Sequence, residues 1–319
     1  MAKRLKGMEQ ARGATRPKYQ TDGDPRTSGP GFGLAVHPDS LTEPLRWTKP
    51  RKVFVNSMSD LFHARVPREF LARVFAVMAA TPQHSYQILT KRPDRAARIL
   101  TDLCTCGNGH PPGEHFRSEM EWAATSHSPT YVPGLEHGIY QRSGWPLPNV
   151  WIGASIENQK YADLRIPALL RTPAAVRFLS AEPLLGPIDL FAGDHSTHER
   201  DWDGADDYIC LDCSTDEQQV PWRVIDRTSL GIAWAIVGGE SGPGARPMDP
   251  AWATSLIKQC HDAGVAPFVK QLGSVWARDT TYAGKSVASH GDTKGGNPDY
   301  WPAHLRVREY PTAREAADA

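Results

Sequence analysis

Short apolar runs rich in β-formers recur along this chain, and each stops at a polar cluster. The runs are Lys52–Asn56, Ser85–Thr90, Asn149–Ala154, Val176–Ser180, Ile232–Val237 and Pro267–Gln271. Helical spacing follows four of them. Between Pro67 and Ala80 the apolar positions are Phe70, Leu71, Val74, Phe75, Val77 and Met78, and Pro67 suits a first helical turn. Residues 93–102 also read as a helix. So do residues 158–171, through Tyr161, Leu164, Ile166, Leu169 and Leu170. A fourth helix runs from Pro250 to Ala263, with Trp252, Leu256 and Ile257 on one face and Gly264 placed to end it. Strands separated in this way imply parallel pairing through right-handed crossovers. An open doubly wound sheet fits the same rhythm. The polar strand ends favour an α/β fold built as a partial or complete parallel (β/α) barrel of TIM type.

A length of 319 residues is compatible with one such barrel, since these folds often reach ~250 residues as a single domain. The reading is one barrel-like domain over residues 1–275, with insertions at 103–147 and 191–229 and a C-terminal tail over 276–319. Both insertions are polar and far longer than the usual ~2–6-residue loop. In the tail, Trp301 and Tyr310 are candidate anchors. Residues 1–50, rich in Gly and Pro, read as an irregular covering segment.

With 36 basic and 36 acidic residues the net charge is zero, so no basic footprint for nucleic acid is present. No apolar stretch approaches the ~18 residues of a transmembrane helix. The basic start Met1–Lys6 has no apolar segment behind it and does not read as a secretory signal. A cytoplasmic protein is expected, with no membrane partner. Five cysteines, an odd number, argue against a disulfide framework.

The strand ends supply the candidate binding residues. The first carries Asn56, Ser57, Ser59 and Asp60, followed by His63; the second carries Lys91 and Arg92 after Thr90. The third carries Ser155 and Glu157, and the fourth Ser180 and Glu182. The fifth carries Gly238, Gly239, Glu240 and Ser241, with Arg246 close behind, and the sixth carries Lys270 and Gln271. In parallel α/β folds such ends converge on the face that holds the site. Three strand-end glutamates, Asp60 and the cations Lys91, Arg92 and Lys270 suit a ligand with both amino and carboxylate or phosphate groups. The Gly238-Gly239 pair would let backbone come close to it. Glu240, Glu182 and Asp60 are candidates for amino or ribose contacts. Lys91, Arg92, Arg246 and Lys270 are candidates for carboxylate or phosphate contacts. No catalytic residue is assigned: a nucleophile elbow, a phosphate-binding loop and a dinucleotide fingerprint are all missing from the sequence.

Cys104 and Cys106 lie in the first insertion, ahead of His110 and His115, and Cys210 and Cys213 lie in the second. Four thiolates, Cys104, Cys106, Cys210 and Cys213, could hold one structural zinc that pins the two insertions. Alternatively, Cys104, Cys106, His110 and His115 could bind locally. Cys260, on a helix, reads as packing.

Five ordered motifs carry a resemblance: Val53–His63, Leu89–Pro93, Trp151–Glu157, Leu179–Leu184 and Val237–Gly242. Together with the tail pieces Gly291–Gly296 and Arg308–Pro311, they closely resemble the phage gp-thirty-seven/gp-sixty-eight family. This is an uncharacterised family of phages, prophages and bacteria, and the likeness covers most of residues 3–275 outside the insertions. Its members look like radical S-adenosylmethionine enzymes. The resemblance therefore implies a barrel of radical-S-adenosylmethionine type, S-adenosylmethionine as cofactor and a [4Fe–4S] cluster on three thiolates. In the family, the helix that reads like Ala2–Met8 follows the last of those cysteines. Here no cysteine precedes Cys104. Two explanations stand: a start codon assigned too late, or loss of the cluster and its chemistry. The first is preferred, because losing a first parallel strand would leave an open sheet edge.

The leading expectation is a radical S-adenosylmethionine-like enzyme domain without its cluster loop, acting on a small-molecule or nucleotide substrate. Nucleic-acid modification fits a phage setting, although the neutral charge does not support it. The alternatives are a non-catalytic ligand-binding barrel and a metal-dependent hydrolase using the carboxylates and His63. The sequence specifies neither substrate nor oligomeric state.

Overall fold

The computed structural model describes residue 34 and residues 36–56, 59–191 and 231–311. Within them lie β1 (Lys52–Val55), α1 (Arg68–Ala80), β2 (Ser85–Thr90), α2 (Pro93–Thr101), α3 (Glu114–Ala123), α4 (Ile139–Arg142), β3 (Val150–Ser155) and α5 (Gln159–Leu170). They are followed by β4 (Val176–Ala181), β5 (Trp234–Gly238), α6 (Pro250–Asp262), β6 (Ala266–Gln271), α7 (Ser274–Asp279), β7 (Thr281–Tyr282) and β8 (Lys285–Ser286). The first six strands form one parallel sheet in chain order, and the architecture is a partial parallel (β/α) barrel, a half-barrel. The strand–helix rhythm of the sequence predicts this fold, because each short buried run must hand over to a helix before the next parallel strand can begin.

The chain divides into two compact units, each described by itself: Met1–Ile152 with Arg171–Ala175, and Gly153–Leu170 with Val176–Ala319. In the first unit β1 pairs with β2, Lys52 opposite Ser85 and Val55 opposite Ile88. The α1 helix buries Leu71, Val74, Phe75 and Met78. Phe75 meets Phe116 of α3 edge-on, with centroids 5.4 Å apart. Asn149, just before β3, donates its side-chain amide to three carbonyls, those of Met78, Thr81 and His84. It thereby satisfies the end of α1 and the turn into β2.

The two helices α3 and α4 fall inside the 103–147 insertion, which the sequence reading leaves as loop. The signal for α3 is present but short: Phe116, Met120 and Ala123 recur at helical spacing, and all three are buried. In α5 one apolar residue departs from expectation, since Leu164 is 63% exposed. Ala162, Ile166, Ala168 and Leu169 make the buried face instead.

In the second unit β4, β5 and β6 pair in parallel. A side chain at Gly153 of β3 would collide with the Phe178 ring of β4, so only glycine lets this large ring pack there. The chain after α7 returns to the outer side of β6. Val269 N–H donates to Val307 C=O over 2.8 Å, and Glu309 N–H donates to Pro267 C=O over 2.9 Å. Trp301 is buried, and its indole N–H donates to Gly295 C=O. Tyr310, half exposed, stacks on Trp234 with centroids 5.4 Å apart. Among the described residues no helix is long and apolar enough to cross a membrane.

Candidate functional site

In the first unit the ends of β1 and β2 are locked together by Asp60. Its Oδ1 accepts from Phe62 N–H at 2.9 Å and from the Thr90 hydroxyl at 2.7 Å. Its Oδ2 accepts from Lys91 N–H at 3.0 Å and from Arg92 Nη1 at 2.8 Å. Both oxygens therefore have partners within the chain, and the carboxylate acts as a latch between the two strand ends. Asn56 takes the left-handed conformation (φ 58°), which asparagine tolerates better than most residues, and its carbonyl accepts from Ser59 N–H. Ser59 and Lys91 are exposed. Ser57 lies outside the described residues. His63 is buried; its Nδ1 accepts from Arg65 N–H, and its carbonyl accepts from Arg95 Nη1. It organises the turn into α1.

In the second unit each strand-end glutamate has its own cation. Glu157, buried after β3, pairs with Arg165 of α5 at 2.8 Å; the same guanidinium nitrogen donates to Ser155 C=O, and the guanidinium lies over the Tyr161 ring. Glu182, after β4, pairs with Lys270 of β6 at 2.9 Å. Glu240, after β5, is held by Arg246 through the backbone N–H and both sides of the guanidinium, at 2.8–3.0 Å. The Arg246 guanidinium keeps the Glu240 carboxyl below the ordinary carboxylate range. Ser155 and Ser180 are buried, and the Ser180 carbonyl accepts from Ile156 N–H. Ser241 is exposed.

The two glycines have a packing explanation. A Cβ on Gly239 would run into the Leu272 carbonyl and the Gly273 backbone, and one on Gly238 would crowd Glu182. The close backbone approach expected for a ligand is here made by the chain leaving β6. Gln271 completes that contact: its carbonyl accepts from Gly239 N–H, and its side-chain amide donates to Gly239 C=O, both at 2.9 Å. Ser274, which the sequence reading missed, accepts from Gly242 N–H and donates to Thr293 C=O. Arg165 was also missed. It sits in mid-helix, where an arginine ordinarily reads as a solvated face, and only the fold brings it under Glu157.

The described residues contain one cluster of three or more metal-ligating side chains: Cys104, Cys106, His110 and His115, whose ligand atoms lie within 4.8 Å of one another. Hydrogen bonding to His115 draws the Cys104 thiol down to about 5, and Cys104 in turn raises His115. Cys210 and Cys213 lie outside the described residues. Cys260 is fully buried in α6, and burial pushes its thiol up to about 12. A separate cavity of ≈ 500 Å³ opens before the starts of β2 and β3, lined in part by Thr81, Gln83, Leu147 and Asn149. It contains none of the strand-end residues.

No curated protein and no solved structure matches the chain. The family model of DUF5131, described as a protein of unknown function, matches residues 1–300. The fold and its paired strand ends are thus those of a chain that belongs to the DUF5131 family.

Proposed function

We propose that the second unit binds a small zwitterionic ligand at the ends of β4–β6, and that S-adenosylmethionine, through its amino-acid head, is the ligand the chain is built for. One observation carries this reading: Glu182–Lys270 and Glu240–Arg246 are acid–cation pairs at strand ends, with Lys270 55% and Arg246 58% exposed. An amino acid head brings one charge of each sign. Its carboxylate can take the place of a glutamate on Arg246 or Lys270 while its amine takes the freed glutamate, so no charge is left unpaired. Arginine suits this exchange because its planar fork matches a carboxylate.

The cluster implied by the sequence resemblance does not fit the described cysteines. It needs three thiolates. Cys260 is sealed inside α6 with its thiol held protonated, and Cys104 and Cys106 face two imidazoles. No radical step is therefore derived for these residues. A metal-dependent hydrolase is less well supported, because Asp60, Glu157, Glu182 and Glu240 each pair with a cation within their own unit. We place the protein in the cytoplasm, where Cys104, Cys106 and Cys260, none of them in a disulfide, would stay reduced.

Titration calorimetry with S-adenosylmethionine, S-adenosylhomocysteine and adenosine tests the reading. Binding of the first two, weakened at least ~10-fold in Arg246→Gln, is the expected result. Adenosine binding as well as the amino-acid-bearing ligands, or no binding at millimolar ligand, would overturn it. The in-frame DNA upstream of Met1 tests the radical arm separately: a stop codon before any three-cysteine run removes it.

A further inference from the structure

We propose that Cys104, Cys106, His110 and His115 form a closed, structural zinc site in the first unit. The Cys104 and Cys106 sulfurs are 3.2 Å apart, and His110 Nδ1 lies 3.5 Å from the first and 3.2 Å from the second. The His110 and His115 rings meet edge-on with centroids 4.8 Å apart. In a tetrahedral site with Zn–S of about 2.3 Å and Zn–N of about 2.0–2.1 Å, neighbouring ligand atoms are separated by about 3.4–3.8 Å. Cys104, Cys106 and His110 therefore stand close to the edges of the tetrahedron that zinc would need, and the His115 ligand atom lies within 4.8 Å of each of them. Two sulfurs and two imidazoles are a borderline-soft donor set, which selects zinc over the hard, oxygen-seeking cations. All four positions come from the protein, which marks a structural rather than a catalytic centre.

The surrounding chain supplies an independent reason. No residue from Thr101 to Pro112 is buried, and Leu103 is 73% exposed. A segment with no apolar core of its own still holds three ligating side chains together, facing His115 in the first turn of α3. Small folds without a core are ordinarily closed by a metal or a disulfide. The ends of the segment are already anchored. It leaves α2 at Asp102, enters α3 at Glu114, and Gly113 N–H bonds to Thr101 C=O. Arg68 of α1 binds Asp102 on one side and Glu119 of α3 on the other. Zinc would close the part between these anchors.

The full-length chain, loaded with Zn2+ and dialysed against metal-free buffer, should retain about one zinc per chain by elemental analysis. Cys104→Ser/Cys106→Ser should lose it, and Cys210→Ser/Cys213→Ser should keep it. Replacement with Co2+ should give tetrahedral d–d bands and thiolate charge transfer in the wild type. Should the first double variant fail to fold, the wild-type zinc content and cobalt spectrum decide alone. The proposal is overturned if the wild type retains no zinc, if cobalt gives no tetrahedral spectrum, or if Cys210→Ser/Cys213→Ser empties the site.

Discussion

Glu240 shows how much a single strand-end residue does in its own fold before any ligand is considered. It accepts three hydrogen bonds from Arg246, and its carboxyl is held below the ordinary range. A depressed carboxyl pKa stabilises the fold above the unfolded value of about 4.3 and loses that contribution as pH falls through the lower folded value. Glu240→Gln should therefore destabilise modestly at pH 7, by about 0–1 kcal/mol for so exposed a pair. The gap from wild type should close below about pH 4. Urea midpoints at the two pH values check this; a gap that widens on acidification would be the wrong sign. Gly239 makes the opposite point, because its role is purely steric. Gly239→Ala puts a methyl into the Leu272 carbonyl and should cost about 1–3 kcal/mol in urea unfolding. Gly242→Ala meets no atom within 4 Å but sits at φ 106°, and so isolates the backbone cost from the collision.

Among the elements, those with long periodic patterns are the ones legible in the sequence. The β2 strand spans Ser85–Thr90 as read, and α6 starts at Pro250 as read. The start of α6 has a local cause: Asp249 Oδ1 accepts from Ala251 N–H at 2.8 Å, and Pro250 occupies the first turn. Asp249→Ala should cost about 1 kcal/mol, read as a lowered urea midpoint with an unchanged slope. An effect near zero would show that tertiary packing, not the cap, sets this boundary. The α3 helix escaped detection because its three buried positions, Phe116, Met120 and Ala123, are spread over a ten-residue segment that is otherwise polar. Its stability comes from packing on α1, through contacts such as Phe75 with Phe116, rather than from its own pattern.

At the scale of the whole molecule, the tail changes what the sheet exposes. Residues 307–309 pair antiparallel with β6 through Val307 and Glu309, and Arg308 donates to the carbonyls of Val269 and Lys270. β6 ends the six-stranded sheet, and an uncovered terminal strand invites edge-to-edge association. A chain ending at Gly296 should aggregate where the full chain stays monodisperse, as size-exclusion chromatography with light scattering would show. An unchanged elution profile would mean that the tail covers nothing essential.

The sequence by itself determined the order of the six parallel strands and of the four helices that follow them, and the polar character of every strand end, because periodicity and turn chemistry act over a few neighbouring residues. It also placed Cys104, Cys106, His110 and His115 within one short segment. Only the tertiary structure decided which charges meet. Asp60 and Arg92 are 32 residues apart in the chain, and Glu182 and Lys270 are 88 apart. It also decided that Gly239 makes room for the backbone leaving β6, and that Arg165 turns inward to Glu157. Pairing of this kind depends on distance in space, and in a parallel sheet the strand ends that meet lie a whole crossover or more apart along the chain.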